Sequence, residues 1–119
     1  MINFDIQEKK RFSFKVKNNI HYTTLSEINY IEGKSYLTTV YFSKNNEIKH
    51  CIYSNNLKNF EKKLVNYGFQ RINKNIIVNL SKIKVVCSKN RNIILECGNV
   101  FIASVRRFKK FKNLLGNPL

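Results

Sequence analysis

Residues 36–53 read YLTTVYFSKNNEIKHCIY, two runs of β-branched and aromatic residues that flank a polar centre. In both runs apolar and polar residues tend to alternate, which is typical of a strand with one buried face. The central Ser43-Lys44-Asn45-Asn46 has loop composition, because Ser and Asn side chains bond to nearby main-chain groups. The stretch therefore predicts a β-hairpin with arms at residues 36–42 and 48–53.

The same period continues on both sides of this hairpin. Towards the amino terminus it predicts strands at residues 12–16, 20–25 and 28–32, with a tight turn at Asn18-Asn19 and with Gly33 closing the third strand. Towards the carboxyl terminus it predicts strands at residues 76–79, 83–87, 93–97 and 100–104. Strand-forming runs therefore occupy most of the chain.

One internal segment has clear helical spacing. In residues 54–67 apolar side chains recur at intervals of three and four, Ser54 or Asn55 can cap the first turn, and Gly68 stops the helix. Near-helical spacing in residues 105–115, followed by a Gly-Asn-Pro stop at 116–118, predicts a second, short helix.

The fold class follows from these elements: mostly β, antiparallel, with one embedded helix and a short C-terminal helix. A chain of 119 residues with 43% hydrophobic content is sufficient for one packed core. We expect one domain at residues 12–115, preceded by a lead-in at 1–11 and followed by a tail at 116–119.

The charge is strongly one-sided, with 22 Lys and Arg against 7 Asp and Glu, a formal net charge of +15. Such a molecule repels its own copies and attracts phosphate. No run of eighteen apolar residues could span a bilayer, and the first residues lack the pattern of a secretory signal. A cytoplasmic protein without a membrane partner is expected.

Groups for catalysis or metal binding are scarce. Asp5 is the only aspartate, the four glycines stand singly at element ends, and His21 and His50 lie in strand patterns without a carboxylate near in sequence. The three cysteines are odd in number and widely spaced, which argues against disulfides and zinc. We therefore expect no enzyme, no catalytic residue, no metal and no cofactor.

Three basic segments point to a polyanion instead. Residues 103–111 read ASVRRFKKF, a strand end that passes into a cationic cluster. Residues 68–79 read GFQRINKNIIVN, in which a polar and cationic turn leads into an apolar strand. Residues 32–36 read EGKSY, a loop with a cation, a hydroxyl and a phenol, which alone is a weak signal.

Taken in order, these motifs resemble the LytTR family of bacterial DNA-binding domains over about residues 12–113. The matching segments are INYIE at 28–32, FQRINKN at 69–75, IVN at 77–79, SKNR at 88–91 and ASVRR at 103–107. The second of them departs from the family pattern, because Asn73, Lys74 and Asn75 stand where His, Arg and Ser are usual. This departure leaves the base preference of that turn open.

The resemblance implies an elongated stack of three small antiparallel β-sheets that presents loops to DNA. Loop 34–36 and the ending at 104–107 would reach two successive major grooves, and turn 71–75 would work near the intervening minor groove and backbone. The implied base contacts are Tyr36, Lys74 and Arg106, since a guanidinium can bridge O6 and N7 of guanine. The implied backbone contacts are Lys34, Ser35, Arg71, Asn73, Asn75, Ser88, Lys89, Arg91, Ser104 and Arg107.

The function predicted is a sequence-specific, double-stranded DNA-binding transcription regulator, as an effector domain or a stand-alone relative of a two-component response regulator. Its partners would be A·T-rich promoter direct repeats, with a receiver domain or regulatory protein as a further possibility. We expect a monomer in solution and two copies on DNA. The alternatives are a small basic RNA-binding protein, an RNA-cleaving toxin and a membrane-surface binder, for which no long basic amphipathic helix is present.

Overall fold

The computed structural model describes residues 4–115, which form ten strands and three α-helices. The helices are α1 (Asp5–Lys9), α2 (Leu57–Leu64) and α3 (Val105–Leu115). The strands are β1 (Arg11–Val16), β2 (Asn19–Thr24), β3 (Ile28–Lys34), β4 (Leu37–Lys44), β5 (Glu47–Tyr53), β6 (Phe69–Arg71), β7 (Ile76–Asn79), β8 (Ile83–Cys87), β9 (Asn92–Leu95) and β10 (Val100–Ile102).

The strands form three separate antiparallel sheets. β1 and β2 make a two-stranded sheet, the central sheet has the order β5-β4-β3-β7-β6, and the third has the order β10-β9-β8. The molecule measures 46 × 31 × 24 Å along its principal axes. A mostly β, elongated stack of three antiparallel sheets with one embedded and one C-terminal helix is therefore confirmed.

The inner strands β3 and β7 of the central sheet are covered on both faces, and their sequences show why. In β7, Ile76 and Val78 contribute to one core while Ile77 between them contributes to the other, as the two-residue period of a strand requires. Tyr30 and Ile31 of β3 divide in the same way. A strand apolar on both faces has to lie between two packed layers.

The two cores hold the stack together. The N-terminal core lies between the central sheet, the β1–β2 hairpin and α2, and it contains Leu25, Ile28, Ile31, Val40, Phe42, Leu57, Phe69 and Ile77. The C-terminal core lies between the central sheet, the β8–β10 sheet and α3, and it contains Tyr30, Ile72, Ile76, Val78, Leu80, Ile93, Leu95, Ala103, Phe108 and Phe111. Each outer layer is thus fixed by its own apolar contacts with the central sheet.

The hairpin turns are tighter than the sequence predicted. β4 and β5 extend to a two-residue turn of Asn45 and Asn46, both at positive φ (54° and 64°), instead of ending at a four-residue loop. Asn tolerates this left-handed conformation, which suits the twist of a hairpin. In the first hairpin the turn is Lys17-Asn18 rather than Asn18-Asn19, because Val16 pairs with Asn19.

The embedded helix starts later than predicted. Its cap is Asn56, whose Oδ1 accepts from the Asn59 amide at 2.9 Å, so the prediction of Ser54 or Asn55 as the cap was wrong. The helix ends at Leu64, and a 3-10 turn at 65–67 leads to Gly68, which stands at a φ of 85° and stops it as predicted. Gly33 does not close β3, which runs on to Lys34. A Cβ there would lie 2.8 Å from that of Leu57, so the glycine allows α2 to approach the strand.

Several further boundaries differ from the prediction. β9 and β10 are shorter than residues 93–97 and 100–104, since Glu96 to Asn99 form the turn between them and the chain leaves β10 after Ile102. Short strand β6 lies where the sequence suggested only a polar turn. The predicted helix stop at 116–118 and the tail at 116–119 lie outside the described residues.

The lead-in carries helix α1, which sequence patterns did not predict. Its Gln7 side chain is fully buried, and Nε2 donates to the Tyr67 carbonyl and, at 3.0 Å, to Asn79 Oδ1. Asn79 is also fully buried; its Nδ2 donates to the carbonyls of Ile28 (2.8 Å) and Leu25 (3.3 Å), and its Oδ1 accepts from the amide and hydroxyl of Ser81. One amide group therefore joins α1, the entry to β3 and the end of β7. The domain limit at residue 12 stays a prediction.

Candidate nucleic-acid interface

Loop 34–36 is a tight, projecting turn between β3 and β4. Lys34 pairs with Leu37 across the hairpin, which leaves Ser35 and Tyr36 as the two turn residues. Ser35 stands at a φ of 59°, and the Tyr36 side chain is 85% exposed. Within residues 4–115 no hydrogen bond engages the Tyr36 hydroxyl, so this phenol is available to a ligand.

Turn 71–75 is shaped by side chains that bond to its own backbone. Asn73 Oδ1 accepts from the amides of Asn75 (2.8 Å) and Ile76 (2.9 Å). Arg71 donates from Nε to the Asn73 carbonyl at 3.3 Å and from Nη2 to the Lys74 carbonyl. The turn is thereby fixed, and Lys74 and Asn75 are exposed at its tip.

Hydrogen bonds join this turn to its neighbours on either side. The Gly33 amide donates to the Asn75 carbonyl at 2.8 Å, next to loop 34–36. On the other side, Asn73 Nδ2 donates to the Ile102 carbonyl at 3.0 Å, and the Ser104 amide donates to the Ile72 carbonyl at 2.9 Å. Loop 34–36, turn 71–75 and the start of α3 therefore lie side by side.

Turn 88–91 is attached to the same assembly through Arg91. Arg91 stands at a φ of 61°, its carbonyl accepts from the Ala103 amide at 3.0 Å, and its Nε donates to the Ala103 carbonyl at 3.0 Å. Ser88 and Lys89 are exposed in this turn. We refer to the four joined segments, 34–36, 71–75, 88–91 and 103–107, as the loop block.

The ending at 104–107 is the first turn of a helix. Ser104 caps α3, since its carbonyl accepts from the Phe108 amide at 2.8 Å and its Oγ accepts from the Arg107 amide at 3.4 Å. Phe108 is buried in the C-terminal core while Arg106 is exposed. In the described part of the chain the Arg106 guanidinium has no ion pair or hydrogen bond.

Glu61 of α2 holds two of the arginines. Its Oε1 lies 3.3 Å from Nη1 of Arg71 and its Oε2 lies 3.6 Å from Nη1 of Arg107. The two arginine side chains are only 17% and 25% exposed. Glu61 was not singled out by the sequence, because its partners lie in two distant segments and its own helix shows only an ordinary amphipathic pattern.

An open cleft of about 860 Å³ lies where loop 34–36 and turn 71–75 meet the start of α2. Its cations are Lys34, Lys58, Arg71 and Lys74, and Glu32 is the acidic residue in its lining. Lys58 was also missed, because no sequence motif links α2 to the loops. Its position in the first turn of α2, two residues after the cap, was the available signal.

The structure thus brings every predicted contact residue into the loop block, in two different situations. Tyr36, Lys74 and Arg106, the predicted base contacts, are exposed. Lys34, Ser35, Asn75, Ser88, Lys89 and Ser104 are exposed too. Arg71, Asn73, Arg91 and Arg107 are half-buried and bonded within the protein. That any of these residues touches DNA stays a prediction.

Both histidines lie against aromatic rings, and Cys51 and Cys97 pack against the two cores. His21 stacks on Phe14 with ring centroids 5.2 Å apart, and His50 lies 5.8 Å from the Tyr41 ring. Cys51, Cys87 and Cys97 are free thiols, and burial raises the pKa of Cys51. In residues 4–115 no cluster of three His, Cys, Asp or Glu could hold a metal ion.

Comparison with known proteins assigns the chain to a family. The LytTr DNA-binding domain family matches residues 18–116. The chain therefore belongs to the LytTr DNA-binding domain family, and the resemblance seen in the sequence is confirmed.

A solved structure shows the same fold. It is described as the LytTr DNA-binding domain of a methyl-accepting/DNA response regulator from Bacillus cereus. The match has a TM-score of 0.76 at 22% identity and covers 91% of this chain and 98% of that chain. Among curated proteins no match was found. None of the described helices is long and apolar enough to cross a membrane.

Proposed function

We propose that this protein is a transcription regulator that recognises a specific sequence in double-stranded DNA through its loop block. The observation that carries the proposal is the grouping of exposed Lys34, Lys74, Lys89 and Arg106 on loops that main-chain hydrogen bonds join into one unit. Cations on a fixed framework can meet phosphates at set positions while neighbouring side chains read base edges.

Each tip has a distinct task in this proposal. Loop 34–36 and the first turn of α3 enter two successive major grooves, and turn 71–75 lies at the intervening minor groove and backbone. Arg106 bonds a guanine at O6 and N7, while Tyr36 and Lys74 contact further bases. Loops with two-residue turns are narrow enough to enter a groove that is about 12 Å wide.

The residues proposed to contact phosphate fall into two groups, according to whether their side chains are already bonded within the protein. The first group has exposed polar ends. Lys34, Ser35, Asn75, Ser88 and Lys89 belong to it and can bond phosphate directly. Ser104 uses its Oγ as an acceptor within the cap, so its hydroxyl proton remains available for a phosphate oxygen. Lys58, which lines the same cleft, joins this set.

The arginines that are bonded within the protein have fewer N–H groups left for phosphate. Arg71 directs Nε, Nη1 and Nη2 to protein oxygens, so its principal role is to hold the turn. Arg91 and Arg107 each show one such bond and retain further N–H groups for phosphate.

The geometry supports the alternative functions less well than it supports DNA recognition. An RNA-cleaving toxin needs a general base near positioned cations, whereas His21 and His50 pack on aromatic rings of strands outside the loop block. We therefore propose no catalytic activity. A binder that uses charge alone, such as a small RNA-binding protein, would not need Tyr36 and Arg106 presented on fixed turns.

The proposal extends to assembly and control. At +15 the chain repels its own copies, so the protein is a monomer in free solution and two copies load on adjacent A·T-rich direct repeats of a promoter. As a promoter-binding protein it acts in the cytoplasm of a bacterium. A receiver domain or a separate regulatory protein supplies the signal.

Selection from a random pool of duplexes tests the proposal. A sharp motif is expected, with binding at least about a thousandfold tighter than to a scrambled duplex at the same salt concentration. Equal affinity for both duplexes would show that charge alone drives binding and would refute sequence recognition.

A further inference from the structure

We infer that Glu61 is a positioning residue that sets sequence specificity, although it carries the wrong charge to touch DNA. This inference rests on the proposed function. Glu61 lies on α2, outside the four segments of the loop block, yet its carboxylate is shared between Arg71 and Arg107. It is one of only 7 acidic residues in a chain with 22 Lys and Arg, so its location among the basic loops calls for a physical reason.

The first reason is the environment of Arg71. This guanidinium spans the turn that carries Lys74, with Nε on the Asn73 carbonyl and Nη2 on the Lys74 carbonyl. Its third edge, Nη1, faces Glu61 Oε1 at 3.3 Å. A half-buried guanidinium needs a partner for its charge, and Glu61 is the only carboxylate that pairs with it in residues 4–115. Glu61 therefore stabilises the rotamer through which Arg71 holds the tip.

The second reason is the position of α3. Arg107 lies in the first turn of that helix, directly after Arg106, and its Nη1 lies 3.6 Å from Glu61 Oε2. The same carboxylate thus fixes the rotation of the helix that presents Arg106. Turn 71–75 and the start of α3 are held in register by one side chain, so that Lys74 and Arg106 keep a set separation.

A positioning role and a purely electrostatic role of Glu61 predict opposite changes in affinity for the selected duplex when the residue is replaced. Removal of one negative charge raises the net charge and strengthens binding to every duplex. Loss of a positioning residue weakens binding only where Lys74 and Arg106 must meet particular bases, because non-specific binding needs no fixed geometry. The positioning role of Glu61 therefore requires that its removal lower the ratio of specific to non-specific affinity.

The test is Glu61→Gln, with Glu47→Gln as the matched control. Both changes remove one negative charge at nearly constant volume, but the Glu47 side chain is 72% exposed at the start of β5 and its one ion pair, to Lys49, is long at 3.9 Å. Affinity for the selected duplex and for a scrambled duplex is measured at several salt concentrations. E47Q should strengthen binding to the selected and to the scrambled duplex equally. E61Q should strengthen or preserve scrambled binding while selected binding falls at least about fivefold, the loss expected from a disturbed base contact.

Three further measurements keep the result interpretable. Glu61→Asp retains the charge and should recover part of the ratio, and a thermal melt of each variant confirms that it is folded at the assay temperature. In a Lys74→Ala background E61Q should cost less specificity than in the wild type, because part of its effect acts through the tip that Lys74 occupies. Parallel gains for E61Q and E47Q would overturn the inference while leaving DNA recognition intact. A wild type without preference for the selected duplex would instead overturn the proposed function.

Discussion

Replacement of Asn79 by alanine should destabilise the protein more than almost any other polar substitution in the described chain. The side chain is wholly buried and its amide bonds to groups from three parts of the fold. Alanine would remove the donor from which the Ile28 and Leu25 carbonyls accept, and also the acceptor of the Ser81 amide, at a position that is wholly buried. Gln7 would lose one of its two acceptors, the other being the Tyr67 carbonyl.

The size of the effect follows from these losses. A buried polar group without a partner costs about 1 to 3 kcal/mol. The groups that lose Asn79 as a partner, together with the small cavity, give a loss of about 3 to 4 kcal/mol in the free energy of unfolding. For a domain of this size that corresponds to a fall in Tm of roughly 12 to 16 °C.

Urea denaturation of N79A and of the control Asn90→Ala measures the difference. Asn90 also accepts a hydrogen bond, from the Asn92 amide at 3.0 Å, but it lies exposed in a turn where water can replace it. N90A should cost less than about 1 kcal/mol. If the two variants unfold at the same urea concentration with equal slopes, the reasoning about the buried amide is wrong.

Four other outcomes are expected. Arg106→Ala should lose about 1 to 3 kcal/mol of binding free energy on the selected duplex and relax the preference at one base pair. Lys89→Ala should instead weaken binding to all duplexes alike and reduce the slope of log affinity against log salt concentration by about one unit. If both variants lose affinity uniformly across duplexes, base reading by Arg106 is refuted. Partial burial raises the pKa of Glu27, but hydrogen bonds from Thr23 and Thr24 and the charge of Lys44 outweigh it and the net pKa is lowered below 4.5. Its stabilising contribution is therefore complete above about pH 4.5 and is lost as the pH falls through the folded-state value, so the stability of Glu27→Gln should vary less with pH in that acidic range when followed by thermal melts. Gly68→Ala should destabilise the domain by more than about 1 kcal/mol in the same melts, because the residue stands at a φ of 85° and a Cβ would lie 2.8 Å from Gln7 Nε2. Sedimentation should find a monomer without DNA, and a half-turn insertion between two repeats should weaken cooperative loading; a stable free dimer would contradict this account of assembly.

The elements that sequence patterns predicted well are those whose signal is local. Alternation identified nearly every strand, since a strand with one buried face must repeat at two residues, and Gly68 marked the end of α2 through its left-handed conformation. β6 escaped because three residues are too few for a period. The cap of α2 was misplaced because three capping residues stand in a row, Ser54, Asn55 and Asn56, and the sequence does not rank them before the burial of Leu57 is known.

Residue composition drew attention to three segments of the loop block, and the family motifs assigned contact roles to single residues. The motifs placed Tyr36, Lys74 and Arg106 on tips, and the structure has all three exposed on the block. What the sequence could not indicate is which polar residues serve the protein itself. Arg71 and Asn73 match a contact motif, yet their hydrogen bonds shape the turn, and Glu61 and Lys58 match no motif although they lie beside it. Contacts between residues far apart in sequence decide these roles.

The hydrogen bonds from Gly33 to Asn75, from Ser104 to Ile72 and from Ala103 to Arg91 have a consequence for the cost of binding. Flexible loops lose conformational entropy when a partner orders them, about 1 to 2 kcal/mol for each residue fixed. Here that loss is incurred when the protein folds, so little of it remains for the encounter with a ligand. A surface ordered in advance also has little ability to adapt, and a duplex whose grooves do not match its spacing must itself deform to be bound.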